Sequence, residues 1–386
     1  MINADTNSGL PIRKEVAKHI SELLGTDTNG TIGNPSQLFN SYSRDLIEKA
    51  RKQVSILIDA KPEEIIFTSG ATESCYLAIL GSFLANKKDF SSIASATEHS
   101  AVTQVYESLK QVSEVEHKEI TANRNGELDF SNTKNSKPTL LSLMSANNET
   151  GVKFKLEEVR EKIGPKILFS DVTQSIGKEA FSFRKSPADI IAFSSHKIAG
   201  PQGVGALVVK EGTNWISPIT GGGQEDGRRG GTQATLLISA FGLACELKKE
   251  EFSKTYSSLK DSFTRDFFEA QILANLENVE IIGHKKDRLN NTSMLIIKDV
   301  SAVDLIKKLQ QEEIIISAGS ACSKGGDSKV LKAMGFSERE RRSAIRVSFD
   351  ATHKIEDGKL VAMHIINQSK IIRELNNQEV ENLLKS

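Results

Sequence analysis

Through the first two thirds of this 386-residue chain, apolar residues come in short, nearly continuous runs set apart by longer stretches with helical spacing. The runs predict strands over "EIIFTS" at 64–69, "SIASA" at 92–96, "TLLSLMS" at 139–145, "KILFS" at 166–170, "DIIAFSS" at 189–195 and "GALVVK" at 205–210. A helix is predicted over much of 35–58, and another after the turn "GATES". Strands apolar on both faces and separated by helices predict an α/β fold with a mostly parallel sheet covered on both sides. Such sheets bind ligands at the carboxyl ends of their strands.

From about 234 a long helical stretch, "ATLLISAFGLACELKKEEFSKTYSSLKDSFTRDFFEAQIL", carries the chain to sparser strands: "TSMLIIK" at 292–298, "EIIIS" at 313–317 and "AIRVSF" at 344–349. This second pattern predicts a smaller α+β domain. The expected division is a large domain over 12–254 and a small C-terminal domain over 255–386, joined by residues 1–11. No low-complexity linker marks the boundary, and no fixed period points to a repeat architecture.

Charge narrows the function. Acidic and basic residues balance at 50 each, so no net field draws the chain to nucleic acid or to a membrane surface, and a small neutral or zwitterionic ligand is expected. The start of the chain lacks a basic flank followed by an apolar stretch, and no run approaches ~18 apolar residues, so the expected location is the cytoplasm. The cysteines are Cys75, Cys245 and Cys322, without a C-x-x-C pair or paired Cys/His spacing. That pattern argues against a disulfide framework and against a metal site. Cys75 and Cys245 lie in helical apolar surroundings, as inert buried thiols do. Cys322 differs, because it sits in the loop "SAGSACSKGG" among serine, glycine and lysine.

Other candidates for chemistry cluster at strand ends. "DIIAFSSHKIAGPQGVG" runs a strand into Ser194, His196 and Lys197 beside groups able to bind an anion. "FSDVTQSIGK" puts Asp171 and Gln174 after another strand, where an acid can protonate a ring nitrogen and an amide can hold a ring oxygen. "TSGATES" sets Gly70, Ala71 and Thr72 at a helix start, with N–H groups and a hydroxyl available to a phosphate. "TEHSAV" offers His99. Singly each is ordinary: a lysine after a strand is usually solvated, and a capped turn usually just begins a helix. Their joint order carries the argument.

In that order, and at those separations, "TSGATES", "EHSAV", "NNETGV", "DVTQSIGK", "SSHKIAGPQGVGAL", "GGGQEDGRRGGT" and "SAGSACS" resemble the cysteine desulfurases. These are pyridoxal-phosphate enzymes of fold type I in the class V aminotransferase group, and the likeness covers about residues 30 to 350. The resemblance implies a large domain built on a seven-stranded, mostly parallel sheet. It implies pyridoxal 5′-phosphate, with Lys197 holding the cofactor aldehyde, Asp171 at the ring nitrogen, Gln174 at the ring hydroxyl and His99 stacked over the ring. Ala71, Thr72, Ser194 and His196 match phosphate ligands; Thr232 matches one supplied by a second subunit. Asn34, Asn148 and Arg346 match substrate ligands, with Asn148 also beside the cofactor. Arg346 would grip the α-carboxylate, for which a planar guanidinium is suited. Cys322 matches the nucleophile that takes sulfur from L-cysteine as a persulfide, which requires a thiolate. A homodimer is implied, as is a sulfur acceptor such as an iron–sulfur scaffold protein.

The chain also departs from the family. Phe39 and Tyr42 stand where histidine and glycine are common, and Cys75–Tyr76 where polar residues are usual. "INADTNSGLP" only loosely matches the usual start. The segment from Cys322 to "VLKAMG" is about two residues shorter than in long-loop members, and the tail is also short. A shorter loop delivers sulfur over a smaller radius. The rival readings are a selenocysteine lyase or another class V enzyme, such as an aminotransferase, and a catalytically idle binding or regulatory protein on the same fold. A transaminase has no need of Cys322, and no packing argument requires Lys197, Asp171 and Cys322 together.

Overall fold

The computed structural model describes residues 1–25, 33–38, 40–133, 136–253, 257–283, 285–319 and 327–385, with the side chains of 257–262 and 379–385 left aside. Cys322 and Phe39 lie outside the described residues. In chain order the strands are β1 (Ile2–Asn3), β2 (Ile65–Thr68), β3 (Ser91–Ser95), β4 (Glu116–Ala122), β5 (Leu128–Asp129), β6 (Leu140–Ser142), β7 (Ile167–Asp171), β8 (Ile190–Ser194), β9 (Gly205–Val209), β10 (Val279–Ile281), β11 (Thr292–Ile297), β12 (Ile314–Ile315) and β13 (Ala344–Ser348).

The main sheet has the order β2-β9-β8-β7-β6-β3-β4-β5. Strands β8, β7, β6, β3 and β4 run parallel to one another, whereas β9 runs antiparallel to both β2 and β8, and β5 antiparallel to β4. The expected seven strands are therefore joined by an eighth, the two-residue return strand β5. Alternate residues feed opposite faces, as the two-residue period of a strand requires. Ile191 and Phe193 of β8 enter one core cluster, with Leu141, Leu168 and Val208. Ile190 and Ala192 enter the other, with Phe169 and Leu207. The first face is covered by the helices Ser41–Ile58 and Thr235–Ser253, the second by Ala71–Ala85 and Ser100–Val112. Each buried Leu, Ile, Val or Phe is worth about 1.5–3 kcal/mol, so both layers lock the strand register.

The first predicted helix begins later than 35. Asn40 caps Ser41–Ile58, its Oδ1 accepting from the Ser43 amide at 3.2 Å. The long stretch from 234 is described as two helices, Thr235–Ser253 and Ser257–Asn275. The apolar pattern does not predict strand β4 because "EHKEITA" is mostly polar and half exposed, with apolar burial only near its end.

Beyond 275 an antiparallel sheet, β10-β11-β13, packs its own core of Phe268, Leu295, Ile345 and Val361. The chain start joins this part: β1 pairs with β12, Asp5 bridges to Ser348, and Ala4 enters the same core. Arg346 of β13 exchanges both backbone hydrogen bonds with Ser317, at 2.7 and 3.1 Å. Among the described residues no helix is long and apolar enough to cross a membrane.

Candidate active site

A cavity of about 680 Å³ lies where β2, β3, β6, β7 and β8 end, which are the carboxyl ends of the parallel strands. Strand β8 delivers Ser194, then the single turn Ser195–Ile198 presents His196 and Lys197 to the cavity. Ala199 closes the turn in the left-handed region at φ 61°, its N–H returning to the Ser195 carbonyl. Strand β7 ends on Asp171, with Gln174 three residues on; β3 leads to His99 and β6 to Asn148.

Strand β2 turns through Gly70 into the helix Ala71–Ala85, whose first N–H, at Ala71, donates to Ser194 Oγ at 2.8 Å. Two glycines allow that approach. Gly70 holds φ 148°, and a Cβ at Gly205 would lie 2.7 Å from Gly70 Cα and 2.6 Å from the Phe193 carbonyl. The helix start is tied further by Glu73, which accepts from the Ser69 amide at 2.6 Å and pairs with Arg229 at 2.7 Å. The result is a helix N-terminus with the Ser194 hydroxyl beside it, the chemistry an anionic phosphate needs.

Lys197 Nζ donates to the carbonyls of Asn7 at 2.6 Å and Ser8 at 3.0 Å, so its amine lies beneath the N-terminal segment. Asp171 is 8% exposed; its Oδ1 accepts from the Thr173 amide at 2.9 Å, and Cys75 Sγ–H points to Oδ2 at 4.0 Å. Burial drives the Cys75 thiol well up, with Asp171 and Glu98 adding to it, so this thiol stays protonated. His99 caps the helix Ser100–Val112 through Nδ1, which accepts from the Ala101 amide at 3.1 Å. That bond leaves the imidazole proton on Nε2. Burial pushes His99 below its usual range, Asp171 opposing and Lys197 adding to the effect. Burial, then Lys197, brings His196 to about 4. Both imidazoles are neutral near pH 7.

Arg346 is 2% exposed and reaches the cavity from the other sheet. Its Nη1 donates to the Asn148 carbonyl at 2.9 Å, and its Nη2 to Asp5 Oδ1 at 2.7 Å and Ser8 Oγ at 2.8 Å. Its Nε and the Asn148 Oδ1 are buried with no protein partner. A donor and an acceptor left over on residues lining one cavity are the mark of a polar ligand.

Two site residues from the sequence analysis lie elsewhere. Asn34 is exposed, its Oδ1 accepting from the Ser36 amide at 2.9 Å, and it does not line this cavity. Thr232 is also exposed and outside the cavity of its own chain. Its loop is anchored by Glu225, a buried carboxylate that accepts from Arg51 at 2.8 and 3.1 Å, from the Phe67 amide at 2.9 Å and from Gln233.

Other residues of the site were not picked out from sequence. Asn7 is 1% exposed and joins the parts of the site: its carbonyl accepts from Lys197 and Gln174, its Oδ1 from Lys178 and Asn291, and its Nδ2 donates to Thr292 and the Asn148 carbonyl. Glu98 and Glu149 lie within the motifs "EHSAV" and "NNETGV", but nothing in the sequence near them marks either carboxyl for a role. Burial pushes Glu98 up to about 8, against the Met144 amide that donates to it, and its Oε2 has no partner. Burial also raises Glu149, while Ser328 and Arg346 hold it back.

The class V aminotransferase family model matches residues 3–361. The chain belongs to the class V aminotransferases. Within them its relatives are cysteine desulfurases. One from Trichormus azollae is 33% identical over 358 residues, spanning 90% of this chain and 88% of its own. The cysteine desulfurase IscS of Colwellia psychrerythraea is 35% identical over 359 residues, spanning 89% of this chain and 87% of its own. A solved NifS-like protein superposes with a TM-score of 0.84 at 26% identity, covering 95% of this chain and 98% of that one. A structure of SspA in complex with cysteine gives 0.76 at 26% identity, over 92% and 100%.

The family's cofactor is pyridoxal 5′-phosphate, and the residues present fit it. A phosphate would meet a helix start with Ser194 beside it, and Thr173 and Glu98, whose buried Oγ1 and Oε2 have no partner, line the same cavity as Asp171 and Lys197.

Proposed function

We propose that this desulfurase takes sulfur from L-cysteine, releases L-alanine and carries the sulfur as a persulfide on Cys322. The observation that carries the reading is the convergence of Lys197, Asp171, His99 and Arg346 on one cavity. Ala71, Thr72, Ser194 and His196 would hold the cofactor phosphate, Asp171 its ring nitrogen, Gln174 its ring oxygen and Lys197 its aldehyde. Bound there, pyridoxal 5′-phosphate supplies an aldehyde that links to amines and a cationic ring that withdraws electrons.

The protein's own groups divide the rest of the work. Arg346 orients the substrate by its α-carboxylate through the Nε donor it leaves unpaired, and the unpaired Asn148 Oδ1 accepts from a donor such as the substrate's amino group. Lys197, freed by the substrate amine, takes the α-proton as a base. His99 holds a mobile proton on Nε2 close to Asp171 and Lys197, the two groups that perturb it. The Cys322 thiolate attacks the substrate sulfur: the Cβ–S bond breaks, an S–S bond forms, and Cβ keeps the electron pair. A proton then completes the methyl group of L-alanine. The thiol sulfur is oxidised and Cβ reduced, so no outside oxidant is needed, and a thiol reductant later frees the persulfide as sulfide.

The finer reading is of a cytoplasmic homodimer that passes sulfur to an acceptor such as an iron–sulfur scaffold protein. What supports the dimer is Thr232, a phosphate-ligand position lying exposed outside its own cavity. The test is incubation with L-cysteine and a dithiol reductant, measuring products. Alanine and sulfide in equal amounts are expected; pyruvate and ammonia in place of alanine would reject the reading in favour of elimination.

A further inference from the structure

The carboxylate end of the site contains a carboxylate of its own. Asp5, carried by the N-terminal segment, pairs with Arg346 at 2.7 Å, the two side chains being 13% and 2% exposed. Its second oxygen accepts from Ser8 Oγ at 2.5 Å, and Ser8 Oγ in turn accepts from Arg346 Nη2 at 2.8 Å. Nη2 thus spends its hydrogens inside the protein, while Nε is buried without a partner. The position of Asp5 is fixed by backbone pairing: Asp5 bridges to Ser348 of β13, and the amide of Asn7 donates to Ser348 Oγ at 3.0 Å. Two carboxyl groups face the guanidinium, Asp5 from the N-terminal segment and Glu149 from the loop after β6. Arg346 makes its ion pair with Asp5, while Glu149 accepts from Ser328 and acts on the guanidinium through its charge.

We propose that Asp5 is an electrostatic counterweight: it positions Arg346 and, by occupying Nη2, loosens the enzyme's hold on the α-carboxylate of substrate and product. The proposal rests on the reading of Arg346 as the carboxylate anchor. A lone buried guanidinium would hold an amino acid tightly, product included, and tight product slows a turnover that must end in release. A fixed anion on one side of the guanidinium lowers its attraction for a second anion without removing the planar fork that orients it.

The test uses the holoenzyme and two probes, L-alanine and L-alaninamide, which differ in the carboxylate. Dissociation constants come from the change in cofactor absorbance on titration. Asp5→Asn keeps an acceptor for Nη2 and removes the charge. L-alanine should bind about 5-fold tighter or more, L-alaninamide should gain nothing, and KM for L-cysteine should fall. A merely structural role would weaken both probes together. Unchanged or weaker L-alanine binding in Asp5→Asn overturns the proposal, and Asp5→Ser carries the same charge removal should the first variant not fold. Arg346→Ala separates the two readings: L-alanine affinity unchanged in that variant refutes the anchor itself, and the counterweight with it.

Discussion

Lys197→Ala is expected to stop turnover of L-cysteine, by roughly 10³-fold or more, and to remove the cofactor's visible absorbance after gel filtration. Both losses have one cause. The amine lies at the end of a turn whose geometry is set by β8 and by Ala199, and it is held beneath the carbonyls of Asn7 and Ser8 within the cavity that Asp171 and His99 share. Among the described residues the cavity's other lysine is Lys329, which begins the short helix after the segment that carries Cys322. With pyridoxal 5′-phosphate supplied, added primary amines should restore part of the proton transfer but not the link to the protein, so some rate should return while the cofactor still washes off on gel filtration. Retention of both rate and colour in the variant would show that another group does this work.

The second large effect is at Arg346. Replacing it with alanine removes the anchor and leaves Asp5 buried beside an empty position, and breaking one partner out of a buried pair costs about 3–5 kcal/mol. A lower Tm is therefore expected together with a rise in KM for L-cysteine of about 10²-fold, with kcat falling less. Arg346→Lys keeps the charge but not the fork, since a lysine cannot serve Asn148, Asp5 and a substrate in one plane. It should recover stability better than KM. Equal recovery of both would mean that Arg346 acts through packing alone.

Much of this arrangement was legible in the sequence, and particular residues show why. The runs at 166–170 and 189–195 are apolar on both faces, so they could only be central strands, and the polar residues just after them had to lie at strand ends. Asp171, Gln174, Ser194, His196 and Lys197 followed from that alone as neighbours at one edge of the sheet. Arg346 joined them through the family likeness of "AIRVSF", because periodicity cannot say which way a strand of a second sheet faces. Strand β4 was missed since its polar, half-exposed residues lack either period. Asn7 and Asp5 were missed for a different reason. Their importance comes from long-range pairing, with Asn7 bonded to Thr292 and Asp5 to Arg346, and local pattern holds no trace of partners some three hundred positions away. Asn34 and Thr232 fit the family's order yet lie outside the cavity of one chain. Linear motif order records a shared ancestor, not where in space a residue comes to lie.

The central claim is that substrate sulfur passes to the thiol of Cys322. Its most direct test is the mass of the Cys322 peptide after one turnover with L-cysteine and no reductant, the protein alkylated and digested. The account predicts a gain of one sulfur atom on that peptide, matched by one L-alanine per site, with neither formed by Cys322→Ser although its cofactor absorbance is intact. An unmodified Cys322 peptide beside a full yield of alanine, or alanine produced at the normal rate by Cys322→Ser, would contradict it.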